Sequence, residues 1–154
     1  MNTKRSCGVL LPLFSLPSEH GIGTLGKAAY DFIDFLAAAG QSWWQVLPLG
    51  PTSYGDSPYQ SVSAYAGNPY FVDLDMLCQD GLLLPEELEL DWGSDPARVD
   101  YAKIYNNRFQ LLQKAKDRGW ARHRKKVHAF VERNKNWLPD YALFMALKRR
   151  FGMK

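Results

Sequence analysis

A single strand-helix-strand unit opens this 154-residue chain, and no second one follows it. Gly8-Val9-Leu10-Leu11 is an apolar run stopped by Pro12 and reads as a buried strand. A loop dense in Gly, Pro and Ser runs from Ser15 to Gly23. Beyond it, Leu25, Ala28, Ala29, Phe32, Phe35, Leu36 and Ala39 recur at helical spacing, with Thr24 as the expected N-cap and Gly40 as the stop. Ser42 to Leu47 then reads as a second buried strand, ended by Pro48-Leu49-Gly50-Pro51. A crossover of helix length makes the two strands parallel neighbours, and parallel sheets are normally covered on both faces.

Two parallel strands cannot form a closed or doubly wound sheet, because their edges and outer faces stay exposed. After Asp75 no strand of similar quality appears. Glu86 to Leu90 is acidic, Tyr101 to Leu112 and Trp120 to Phe130 read as two helices rich in Lys and Arg, and a last helix starts at Pro139. The fold class is therefore α/β: the N-terminal portion of a (β/α)8 TIM barrel, which needs about 250 residues. The barrel is incomplete in this chain and carries a mostly helical insertion. Residues 1–74 are expected to form the first βαβ unit with its ligand-side loop, and residues 75–154 a helical subdomain, acidic and then basic. Tyr30, Phe32, Phe35, Trp43 and Trp44 would then lack neighbours, so exposed apolar patches are expected.

A composition of 46% hydrophobic, 14% aromatic and 23% charged residues excludes disordered and collagen-like chains. No apolar run approaches the roughly 18 residues of a membrane span, and the N-terminus lacks a secretory pattern. Cys7 and Cys78 lie far apart, with no metal-ligand spacing around them, so no disulfide, metal or cofactor is expected and a cytoplasmic location fits. The net charge of +3 conceals a split: Met1 to Asp100 holds 4 Lys+Arg and 13 Asp+Glu, net −9, and Tyr101 to Lys154 holds 15 and 3, net +12. The basic half, with Arg118, Arg122, Arg124, Lys125, Lys126, Arg133 and Lys135 around Trp120 and Trp137, has two readings. One is a nucleic-acid surface. The other, favoured because the charges surround the helix, is a solvated face balanced by acidic residues such as Glu86, Glu87, Glu89 and Asp91.

Trp43 to Leu74 carries most of the chemical information. A loop leaving the second strand lies at the carboxyl ends of the strands, where parallel α/β folds bind ligands. The rings of Tyr54, Tyr59 and Tyr65 are flat apolar platforms suited to a sugar face, and Asp56, Ser57, Gln60 and Asn68 can hydrogen-bond hydroxyls. No Gly-rich cradle with Lys is present to hold a phosphate. A purely structural alternative makes Tyr54 to Tyr59 two consecutive turns with the Tyr rings packed beneath them.

Six segments together settle the resemblance: Gly8 to Leu11 with Ser15-Leu16-Pro17, Gly21 to Gly26, Trp44 to Thr52, Tyr54 to Ser61, Ser63 to Tyr70, and Asp140 to Lys148. In combination they resemble the N-terminal part of 4-α-glucanotransferases of the amylomaltase, or disproportionating-enzyme, type. The resemblance implies transfer of α-1,4-glucan segments between maltooligosaccharides, or to glucose, by a retaining double displacement. It implies that the catalytic carboxylates come from later strands, so no catalytic residue is assigned in this chain, which alone is expected to be inactive. It implies that Ser57 and Tyr59 line the glucan cleft and that Tyr54 lies at a secondary glucan groove. Asp56 is the nearest carboxylate, and beside a binding role stands that of a turn-forming Asp. His20 is expected at the loop rim. The expected partners are α-1,4-glucans, glucose and the missing C-terminal part of the barrel, with neither nucleic acid nor membrane. A non-catalytic glucan- or partner-binding module is the alternative.

Overall fold

A computed structural model describes residues 5–152. Strand β1 (Gly8–Leu10) pairs in parallel with β2 (Trp43–Gln45), in the register Gly8 with Trp43, Val9 with Trp44 and Leu10 with Gln45. Helix α1 (Lys27–Ala38) connects them, so the expected βαβ unit is present. Gly40 ends α1 at φ +70°, with Gly40 N–H donating to Ala37 O at 3.0 Å and Gln41 N–H to Leu36 O at 2.9 Å. These two bonds are the paired closure that a left-handed residue after a helix permits.

Three expectations need correction. The strands are shorter than the apolar runs, and β1 is exposed along its length, as is Trp43 at 66%. Among the described residues no third strand covers them. Only Trp44 turns inward, meeting Phe32 of α1 edge-to-face at 5.0 Å and donating its indole N–H to Leu11 O at 2.8 Å. Tyr30, Phe35 and Trp43 are the exposed apolar surface expected of an uncovered unit. Secondly, Thr24 does not cap α1: the cap position is Gly26, and the Thr24 hydroxyl donates instead to Asp73 Oδ2 at 2.5 Å. A side chain on Gly26 would collide with that same carboxylate, so the helix start is fixed by close approach rather than by capping. Thirdly, the two basic helices are one, α3 (Tyr101–Arg133). An interior glycine costs about 1 kcal/mol, which propagation from both sides offsets at Gly119.

Two elements absent from the sequence reading follow the long loop. A 3₁₀ turn, Pro69–Phe71, precedes the short helix α2 (Leu74–Gln79), which Asp73 caps by accepting from Met76 N–H at 2.8 Å. The last helix, α4 (Leu138–Arg150), begins where Pro139 indicated, with Asp140 in its first turn and Lys148 to Arg150 in its last, both suited to the helix dipole.

The chain divides into two compact units, Met1–Ala115 and Lys116–Lys154. The first holds the core: Leu13, Ile22, Leu74, Leu83, Ile104 and Leu111 are essentially sealed. Its share of α3 presents Ile104, Arg108, Leu111 and Ala115 at helical spacing, so an arginine occupies a core-facing position. Arg108 is fully buried and donates from Nη2 to Val72 O. Burial pulls its guanidinium down to about 10, a shift opposed by Asp73 and Asp75. The second unit consists of the end of α3 and α4, joined by a turn that is tied by Trp137 Nε1–H donating to Asn134 Oδ1 at 3.0 Å and Asn134 Nδ2–H to Phe130 O at 2.8 Å. No residue of α4 is buried.

Candidate functional site

The residues between Gln45 and Pro69 form a loop without regular structure, anchored where Asn68 N–H donates to Leu49 O at 2.9 Å. Its centre is two consecutive turns. Asp56 N–H donates to Ser53 O and Gln60 N–H to Ser57 O, each at 3.1 Å. Gly55, at φ +93°, takes the third position of the first turn, and Pro58 the second position of the next, the places where those residues lower the cost of turning.

Half of the structural alternative therefore holds, and half does not. The turns exist, but the rings are not packed beneath them: Tyr54 is 99% exposed, Tyr59 72% and Tyr65 71%. Leaving three phenolic faces in water forgoes the burial that would otherwise stabilise the loop. Ser57 is half-buried beside them, and Gln60 is exposed.

Asp56 and Asn68 differ from the rest. Asn68 is buried, and its Oδ1 accepts from Tyr70 N–H at 2.9 Å, so its side chain starts the 3₁₀ turn. Asp56 lies in the left-handed region at φ +54°, a conformation that costs most residues about 1 kcal/mol and Asp less. Its half-buried carboxylate accepts from Thr52 Oγ1–H at 3.3 Å. It also lines a cavity of about 10 Å³ with Asn68, Tyr70 and Tyr101 among others. Desolvation raises the Asp56 carboxyl above the usual carboxylate value, with the Thr52 bond opposing the shift. Burial, and then the Asp56 charge, push the Tyr70 phenol up to about 12. Tyr101 shifts the same way for the same two reasons. The structure thus sorts the candidates: Tyr54, Ser57, Tyr59 and Gln60 lie on or near the outer side, while Asp56 and Asn68 serve the inner side.

His20 is placed by packing. Its Nε2 lies 3.0 Å from Asp75 Oδ1, and its ring meets Trp92 edge-on at 5.7 Å. Sequence reasoning gave no sign of the groove of about 920 Å³ nearby, walled by Phe14, Glu19, Trp92, Arg98 and Tyr101, because its sides come from segments some 75 residues apart. Among the described residues no group of three His, Cys, Asp or Glu side chains is arranged to hold a metal ion.

Residues 11–154 match the sequence profile of a family described as 4-alpha-glucanotransferase. The chain belongs to the 4-alpha-glucanotransferase family. The 4-alpha-glucanotransferase of Streptococcus pneumoniae serotype 4 is 52% identical over 150 residues, covering 96% of this chain and 30% of its own length. That of Thermus thermophilus is 48% identical over 156 residues, covering 99% of this chain and 30% of its own length. The amylomaltase of Streptococcus agalactiae, solved in complex with acarbose, superposes with a TM-score of 0.94 at 44% identity, over 98% of this chain and 31% of that one. The chain therefore spans just under a third of these relatives. No helix among the described residues is long and apolar enough to cross a membrane.

Proposed function

We propose that this chain supplies a glucan-contacting face of a 4-α-glucanotransferase, with residues 1–74 as the opening βαβ unit of a (β/α)8 barrel and residues 75–154 as a helical insertion. The observation that carries this is the double turn. Within a segment matched by the family profile, Tyr54 and Tyr59 face solvent on a loop whose inner side is packed. Exposed tyrosine rings stack on the C–H face of a glucose unit, and the Ser57 hydroxyl and Gln60 amide can pair with sugar hydroxyls. The parallel, uncovered strands β1 and β2 suit a sheet that continues on either side of them.

Retaining transfer needs two carboxylates about 5–5.5 Å apart, one attacking the anomeric carbon and one acting as acid and then base. Asp56 is the one carboxylate lining its cavity, so it does not form such a pair there, and the family resemblance assigns the reacting carboxylates to later barrel strands. The donor would be a maltooligosaccharide, and the acceptor another maltooligosaccharide or glucose. Both cysteines are free, which suits a reducing cytoplasm.

Maltotriose disproportionation tests this reading. The purified chain is expected to form neither glucose nor longer oligosaccharides, and to do so once mixed with a polypeptide corresponding to the remaining part of a family relative. Transfer by the pure chain would overturn the placement of the carboxylates. Failure of the mixture, where both pieces bind each other, would overturn the proposed role in transfer.

A further inference from the structure

We infer that Asp56 is a positioning residue: its inward carboxylate holds the double turn Ser53 to Gln60, so that Tyr54, Ser57 and Tyr59 meet a glucan in a preset array, without touching the sugar itself. This rests on the glucan-binding reading above and goes beyond it by dividing the loop into groups that contact ligand and one that holds them.

Three observations converge on Asp56. It sits at the junction of the turns, its own amide closing the first and the carbonyl of the next residue, Ser57, closing the second. Among the described residues it is the one non-glycine at positive φ, a conformation that persists when surrounding contacts over-determine it. Within Tyr54 to Tyr59, only Asp56 and Pro58 line the inner cavity, whose volume of about 10 Å³ admits at most a single water molecule and no sugar ring. The groups facing the carboxylate there are Thr52 and Asn68, both neutral, with the phenols of Tyr70 and Tyr101 the other titratable groups lining it. Thr52 already donates to it, and an amide oxygen at the same place would accept equally well. The role therefore needs a planar acceptor that tolerates left-handed backbone, and it does not need the charge.

Two substitutions separate the possibilities. Asp56→Asn keeps the acceptor, the shape and tolerance of φ near +54°. Asp56→Gly keeps only the backbone freedom. Each is compared with the unaltered chain by titration with maltoheptaose, followed by NMR, and by amide hydrogen exchange at Asp56 and Gln60. Asp56→Asn is expected to keep both affinity and protection within about twofold. Asp56→Gly is expected to speed exchange at Gln60 and weaken maltoheptaose binding, each by about tenfold, with the thermal midpoint of the core unmoved. If Asp56→Asn weakens binding as much as Asp56→Gly while exchange is unchanged, the carboxylate touches the sugar and the inference is wrong. It is equally wrong if Asp56→Gly changes neither readout. An unaltered chain that ignores maltoheptaose would sink the glucan-binding reading alone, and the exchange contrast would still decide whether Asp56 holds the turn.

Discussion

The two units of this chain are built on opposite terms. Residues 5–115 have little regular structure for their length, with two three-residue strands, short helices and a long loop, yet they contain the sealed core of Leu13, Leu74, Leu83, Ile104 and Leu111. Residues 116–152 are almost wholly helical, yet in them no apolar side chain is buried. Regularity and stability are thus separable: tertiary burial stabilises the irregular unit, whereas the helical one relies on propensity, end charges and local pairs worth a few tenths of a kcal/mol each. The chemistry follows the same division. Exposed tyrosines are functional candidates in the first unit because the loop beneath them is packed, and the exposed aromatics of the second have no such support.

The sharpest way to break this comparison is to truncate one apolar side chain in each unit. Leu74→Ala, at a fully buried position, is expected to cost about 2–5 kcal/mol in urea unfolding followed by circular dichroism. Phe144→Ala, on α4, is expected to cost less than about 1 kcal/mol. Equal losses would mean that the second unit carries a core of its own.

Next in size is Asp73→Ala. This carboxylate caps α2 and also accepts from Thr24, tying the start of the βαβ crossover to the end of the loop. Its loss is expected to cost about 2 kcal/mol, and Thr24→Val about half of that. Gly40→Ala is expected to cost about 1 kcal/mol by the same unfolding measurement. Nothing lies within 4 Å of a Cβ added there, so the whole effect is that of φ +70°.

Much of this was legible in the sequence where local rules decide. The parallel pair, the crossover helix, Gly40 and the start of α4 at Pro139 all rest on periodicity and on Gly or Pro chemistry, which act within a few residues. What could not be read rests on distant partners. Thr24 looked like a cap because a hydroxyl before a helical stripe usually is one, and Asp73, 49 positions away, claimed it instead. The strands looked buried because their side chains are apolar, and apolarity does not reveal whether a covering layer lies within the same chain. Tyr54 to Tyr59 could be recognised as turns, but the side to which the rings point depends on what fills the inner cavity, to which Phe14, Asn68 and Tyr101 come from three separate segments.

A smaller effect sharpens the contrast within the loop itself. Burial raises the Asp56 carboxyl, so the folded chain binds that proton more tightly than the unfolded chain does. The stability from this group is therefore fully present below the ordinary value of 3.8 and is lost as the pH rises through the raised value. Urea unfolding from pH 3 to pH 6 is expected to show this slope in the unaltered chain and a flatter one in Asp56→Asn. An opposite difference would mean that the carboxylate is stabilised, not desolvated, in its cavity.

The most direct test of the central claim is residue-by-residue NMR of the 154-residue chain titrated with acarbose or maltoheptaose. The expected result is a set of shifts confined to Ser53 to Ser61 and their immediate neighbours, lost in Tyr54→Ala with Tyr59→Ala, and no response from Lys116 onward. Shifts centred on α4 or the basic end of α3, with Tyr54 and Tyr59 silent, would contradict the account.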